Sequence, residues 1–369
     1  MDQHPDIILR MLLRNIAVVA FLLSSFSPVH AQWTIQKSNT TANLRGIASL
    51  GNGVAWASGS DGTVLRTTDG GNLWQVCAVP HGAKHLDFRA IQAIDEHTAF
   101  VMSSGRGALS RLYKTTNGCR SWKYVFSNPD REGFWDGLLY DDADDTLFIL
   151  GDPVEGKFRL FDRIGDKGKF LSNWNGHPIE ASPGQVAFAA SNSLLIMVVG
   201  EGMFSFIIGG SRSEIIHEEH GIDADRGMFS EWSRSPLPFA AGPSSGAFAI
   251  ASTPPTTEPI PKYVVVVGGD YQRPDETSQT AAYSDDWGYE WHLAETPPRG
   301  YRSSVASDET RKFFIAVGPN GTDISRDHGH NWSPVGSGDA SKNWNAISLP
   351  FVVGPSGRIG KLQNDGLRP

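Results

Sequence analysis

Arg45-Gly-Ile-Ala-Ser-Leu50, Val54-Ala-Trp-Ala-Ser-Gly59, Gly62-Thr-Val-Leu-Arg-Thr67 and Trp74-Gln-Val-Cys77 follow one another along the chain. Each piece is of strand length, and each gap holds Gly, Asn or Asp, the residues that supply turn geometry. Four such strands in succession read as one antiparallel blade. The second piece belongs to a series of apolar runs that end in a small residue, at 54–59, 98–104, 146–151, 194–200, 263–268, 312–318 and 351–354. A strand-rich period of roughly forty to fifty residues is that of a β-propeller. The expectation is an all-β, seven-bladed β-propeller of four-stranded antiparallel blades.

Between the third and fourth strands of this first repeat lies Thr67-Thr-Asp69-Gly-Gly71-Asn-Leu-Trp74, an Asp-box. The Asp carboxylate can accept backbone N–H groups of its own loop, Gly takes a conformation other residues avoid, and the Trp ring closes the turn by burial. Two further complete copies are Ser284-Asp-Asp286-Trp-Gly288-Tyr-Glu-Trp291 and Ser325-Arg-Asp327-His-Gly329-His-Asn-Trp332. Thr115-Thr-Asn117-Gly-Cys119-Arg-Ser-Trp122 is a worn copy, and 159–169 holds only a trace. The last repeat stops one strand short, while Trp33-Thr-Ile-Gln36 opens the mature chain with a Trp like those after the boxes. Closure of the seventh blade by both termini is expected, which removes two exposed sheet edges. The long interval before Gly268 carries about twenty extra residues, and the polar, proline-containing stretch 217–245 reads as a loop insertion.

With 369 residues, 40% hydrophobic and 20% charged, the chain can bury a large core, and the repeat fills 32–369 as a single domain. A net charge of -8 argues against nucleic acid as a partner, since phosphate binding needs a basic face. Arg10 and Arg14 precede the apolar run 16–23, and Val29-His30-Ala31 offers a signal-peptidase site, so 1–31 reads as a signal peptide. Export to the periplasm or extracellular space follows, and it permits a disulfide between the two cysteines, Cys77 and Cys119. Two small apolar residues without a bridge are the alternative. The acidic turn Asp141, Asp142, Asp144, Asp145 lacks an EF-hand order, and His217-Glu-Glu-His220 lacks zinc-helix spacing, so no metal is expected. No nucleotide, flavin or haem motif is found, so no cofactor is expected either.

Several segments then carry a resemblance: Phe134-Trp-Asp136, Gly151-Asp-Pro153, Ala187-Phe-Ala-Ala-Ser-Asn192, Gly268-Gly-Asp-Tyr271, Gly300-Tyr-Arg-Ser303, Gly318-Pro-Asn-Gly321 and Gly354-Pro-Ser-Gly357. With the Asp-boxes and the leading Trp, the chain resembles the photosystem II stability and assembly factor family, in its bacterial non-photosynthetic branch. The resemblance implies a non-enzymatic, monomeric role in holding a protein or membrane-complex subunit, on the lumenal side in a phototroph.

Aligning the repeats places Arg45, Arg89, Asp136, Gln185, Gly246, Arg302 and Asn345 just before the innermost strands, at one mouth of the channel. Turns reaching that face carry Asp152, Glu201, Asp270 and Tyr271, with Asn192 and Tyr301 nearby. One arc is expected to be cationic and the other acidic, an arrangement suited to a charged segment of a partner. Backbone satisfaction by these same side chains is the alternative. Sialidases also combine Asp-boxes, an arginine cluster and a tyrosine nucleophile, so glycan hydrolysis through Tyr271 or Tyr301 is the second functional reading.

Overall fold

In a computed structural model the described residues are 33–363 apart from 165–170, 173–177, 199–202, 224–226, 254–262 and 309–312. The segment 1–31 and Glu201 lie outside them. The first blade comprises Leu44–Ser49, Ala55–Gly59, Val64–Thr67 and Gln75–Val76, paired in that order. The second repeats it with Phe88–Ala93, Ala99–Ser103, Arg111–Thr115 and Lys123–Ser127. In the third, Trp135–Asp141, Thr146–Val154 and Lys157–Ile164 are followed by two short strands, Leu171–Ser172 and Ile179–Glu180, that both pair with the third strand. Ser304–Asp308, Phe313–Gly318, Gly321–Ser325 and Ser333–Pro334 form another four-stranded blade.

Closure is by both ends of the chain. Trp33–Gln36 pairs antiparallel with Ile359–Leu362, in a sheet completed by Phe351–Val353 and Ala346–Ser348. Trp33 is fully buried there, edge-on to Trp344, and donates its indole N–H to Thr322 Oγ1 of the preceding blade. The innermost strands pack in sequence around the ring until Ala346–Ser348 meets Leu44–Ser49.

Separate sheets are not found throughout. Residues 185–293 form one nine-stranded sheet, in which the run from Leu195–Val198 to Gly227–Pro236 meets the run from Ser245–Ser252 to His292–Leu293. Their junction is a single pairing, Gly209↔Gly246. A Cβ on Gly246 would sit 2.8 Å from the Gly209 Cα, and Gly246 has φ 141, so only glycine lets the two backbones touch.

The stretch read as a loop insertion is a long hairpin instead. Glu214–Asp223 and Gly227–Pro236 pair from Glu214↔Pro236 to Asp223↔Gly227. Ile215 and Ile216 are both buried, so the outer strands cover core rather than dangle in water. His217, expected in a hydrated charge run, is buried between Ser205 Oγ at 2.9 Å and the Gly288 carbonyl at 3.2 Å.

The hairpin turns explain their own sequence. Thr67 Oγ1 donates to Asp69 Oδ1 at 2.8 Å and accepts the Gly71 N–H, while Asp69 Oδ1 accepts the Leu73 N–H. Ser284/Asp286 and Ser325/Asp327 repeat the scheme, with Gly288 and Gly329 at φ 97 and 96. In the worn copy Asn117 replaces Asp and Cys119 stands at φ 59 in the glycine position. That cysteine is disulfide-bonded to Cys77 of the first blade, with Cα atoms 5.3 Å apart. Replacing both cysteines by Ala should lower unfolding free energy by about 2–4 kcal/mol, read by urea denaturation without reductant. An unchanged midpoint would show that the bridge is dispensable.

Candidate functional site

The inner strands carry an irregularity at one recurring place. Register shifts fall between Leu44 and Gly46, Phe88 and Ala90, Trp135 and Gly137, and Ala247 and Ala249. The residue left over in each bulge is Arg45, Arg89, Asp136 or Phe248. A bulge re-aims its extra side chain, and here all of them line one cavity of about 630 Å³ at the channel. The corresponding positions elsewhere in the ring, Phe188, Ser303 and Asn345, line it too. Each of the seven is followed by Gly, Ala or Ser. The small residue lets neighbouring blades approach: a Cβ on Gly46 would lie 3.2 Å from the Arg89 carbonyl oxygen, and one on Gly137 2.8 Å from Leu194 and Leu195.

This corrects the repeat alignment at three places. Gln185 is buried away from the cavity, where its Nε2 donates to Glu214 Oε2 at 2.8 Å. Gly246 makes the sheet junction. Arg302 is fully buried and turns outward to the carboxylate of Asp323, which is 1% exposed, with further bonds to the Tyr301 carbonyl and Asn320. Asp270 also leaves the cavity. Burial opposes its ionisation, but Ser244, Arg273 and the Gln272 N–H outweigh it and hold the carboxyl at about 2. Asn192 accepts the Leu138 N–H through Oδ1 at 2.7 Å, a link between blades. Arg45, Arg89, Asp136, Asp152, Tyr271, Tyr301 and Asn345 are the expected residues that do converge.

Around the mouth the chemistry is graded. Arg45 and Arg89 stand side by side and both donate to the Ala189 carbonyl, at 3.3 and 3.4 Å. Arg89 is also paired with Asp87 at 2.8 Å and lies over the Phe134 ring. Arg45 keeps a buried Nε without a partner. Next come Asp136 and Asp152. Burial and then the facing Asp152 carboxylate push the Asp136 carboxyl well above its ordinary value, against Arg89, and Asp136 Oδ2 has no hydrogen-bond partner. Burial raises Asp152 to about 6 against the Ala187 N–H it accepts. The remaining arc is aromatic: Phe188 stacks on Phe248 at 4.0 Å, and Tyr271 and Tyr301 meet Phe248 edge-on. Tyr271, 47% exposed, stands at the rim.

An acid raised to about 6 in the fold and near 3.9 unfolded binds more protons in the native state. Its contribution is therefore greatest below about pH 4 and is lost as pH rises through 6. Asp152→Asn should remove that decline from the stability curve between pH 4 and 7; an identical slope would contradict the assignment.

The segment 187–193 crosses the channel beneath the cavity. Besides meeting both arginines, it bonds Ser191 Oγ to the Ser303 carbonyl at 2.7 Å, places Ser193 Oγ 3.2 Å from Ser304 Oγ, and accepts the Ile250 N–H on the Ser193 carbonyl. Phe188 and Phe248 do not stand out among the polar candidates because they are apolar. The signal was present in the small residue after each position: Ala187-Phe-Ala189 and Ala247-Phe-Ala249 match Phe88-Arg-Ala90 and Trp344-Asn-Ala346. Of the residues named for glycan hydrolysis, Arg302 faces Asp323 outside the cavity, while Tyr271 and Tyr301 line it, the Tyr301 phenol pushed upward by burial.

Antiparallel blades around a channel whose mouth gathers inner-strand bulge residues define a β-propeller with a central cavity. Among solved structures the chain is similar to one described as YCF48 bound to D1 peptide, with a TM-score of 0.55 and 14% identity over 90% of this chain and 97% of that one. It is likewise similar to YCF48 from Cyanidioschyzon merolae, with a TM-score of 0.54 and 14% identity over 90% and 99% of the two chains. At that identity the fold is what is shared. No protein-family model and no curated protein matches the chain.

Proposed function

We propose that this chain is an exported, non-enzymatic binding propeller that engages a segment of a protein or membrane-complex subunit at its channel mouth, as an assembly factor does. The observation that carries the reading is the convergence of Arg45 and Arg89 beside an aromatic wall in one open cavity. Guanidinium pairs and aromatic faces are the groups that protein recognition favours. A YCF48 propeller of the same fold is described with a D1 peptide bound, which supports a peptide-binding use of the architecture. In finer terms, the nine-stranded sheet serves as two of seven blades, the closing turns act as Asp-boxes, and the chain works as a monomer whose mature form starts at Gln32.

Capture from an extract of the source cells tests this. Tagged wild-type protein should retain a partner that Arg45→Ala/Arg89→Ala loses, at an unchanged melting temperature. Equal recovery by both would sink the channel-mouth reading.

A further inference from the structure

The cavity holds two like-charged pairs, and among the described residues no ion pair joins one to the other. Arg45 makes no ion pair among the described residues, and Arg89 is paired with Asp87 rather than with the acids next to it. Asp136 and Asp152 face each other without an ion pair among the described residues, although the charge of Arg89 acts on Asp136. Asp136 is 2% exposed, lines the cavity and has an Oδ2 without a hydrogen-bond partner. A buried carboxylate without a counterion is costly, and the cost is relieved only by a cationic group or by protonation. Among the described residues the arginines are held by the shared Ala189 carbonyl and, for Arg89, by Asp87, so they retain donors for an anion. A volume of about 630 Å³ falls within the size range of small-ligand pockets, and the wall opposite is aromatic.

We propose that this cavity binds a zwitterionic group with an aromatic or apolar body, its anionic end on Arg45 and Arg89, its cationic end on Asp136 and Asp152, and its body against Phe188, Phe248 and Tyr271. The inference rests on the cavity being the binding site and adds the ligand's chemistry. Cations of this kind also gain from aromatic faces. The same chemistry is offered by a free aromatic amino acid and by a protein segment in which an acidic and a basic side chain flank an aromatic one.

Calorimetric titration of the purified protein separates these sources. The probes are L-phenylalanine, its N-acetyl form without the cation, its amide without the anion, and the doubly blocked peptide acetyl-Glu-Phe-Lys-amide. At least one doubly charged probe should bind saturably, about tenfold more tightly than either singly charged form. Binding of L-phenylalanine identifies a free zwitterion, and binding of the peptide alone identifies a protein segment. Asp136→Asn, or Asp152→Asn should the first fail to fold, is expected to erase the preference over the N-acetyl form. Arg45→Ala is expected to erase the preference over the amide. No saturable binding of either doubly charged probe at millimolar concentration, or equal binding of the singly charged forms, overturns the proposal. Because the probes are defined, their binding with no partner captured from extract would remove the partner reading and leave the ligand class standing.

Discussion

Arg302→Ala is expected to destabilise the protein by about 3–5 kcal/mol, the largest effect of any single charged substitution in the ring. Arg302 is 0% exposed, and its guanidinium contacts Asp323, Asn320 and the Tyr301 carbonyl. Removing it leaves Asp323 buried, with the exposed Arg299 at 3.4 Å as its remaining cation among the described residues. The penalty comes from that stranded carboxylate more than from the lost pair. Arg302→Met combined with Asp323→Leu should therefore recover most of the loss, since two matched apolar groups strand nothing. Urea midpoints of the three proteins decide it. If the double variant is as unstable as the single, the buried pair contributes more than charge compensation.

Removal of Trp33–Gln36 should be as damaging, and Trp33→Ala alone should cost about 3–5 kcal/mol. The strand supplies one edge of the closing sheet in register with Ile359–Leu362, and Trp33 fills the space between Trp344 and the preceding blade. Without it the ring opens at an unpaired strand, so soluble aggregates are expected along with a lower melting temperature. Light scattering and thermal unfolding of the truncated chain would show both. A truncated protein that stays monodisperse and melts as the full one does would mean the ring is held by the inter-blade core alone.

That four-stranded antiparallel blades build an all-β propeller was legible in the sequence because repetition is. The box turns state their geometry in three residues, as Thr67, Asp69 and Gly71 do with their bonds. The closing strand was legible because Trp33 matches the Trp after each box. Less was readable between 185 and the copy at 284–291, where a hairpin rich in Glu and His buries the consecutive residues Glu214, Ile215, Ile216, His217 and Glu218. Polar composition hid that strand, since its buried polar groups are paired rather than hydrated, Glu214 with Arg234 and His217 with Ser205. At the site, Arg45, Arg89 and Asp136 were found, but Gln185, Gly246 and Arg302 were offset from the bulge by one to three residues. A bulge inserts one residue and so breaks the alternation that alignment by strand relies on. The small residue that follows, from Gly46 to Ala346, marks the position better, because it answers to packing between blades.

The central claim is that a partner enters the channel mouth, and site-specific photocrosslinking tests it most directly. A photoreactive residue placed at Tyr271, on the rim, should yield a crosslinked partner in cell extract, while one at Val76, equally exposed on the outer strand of the first blade, should not. Crosslinking from Val76 alone, or equally from both, would contradict the account and place the contact on the outer wall of the ring.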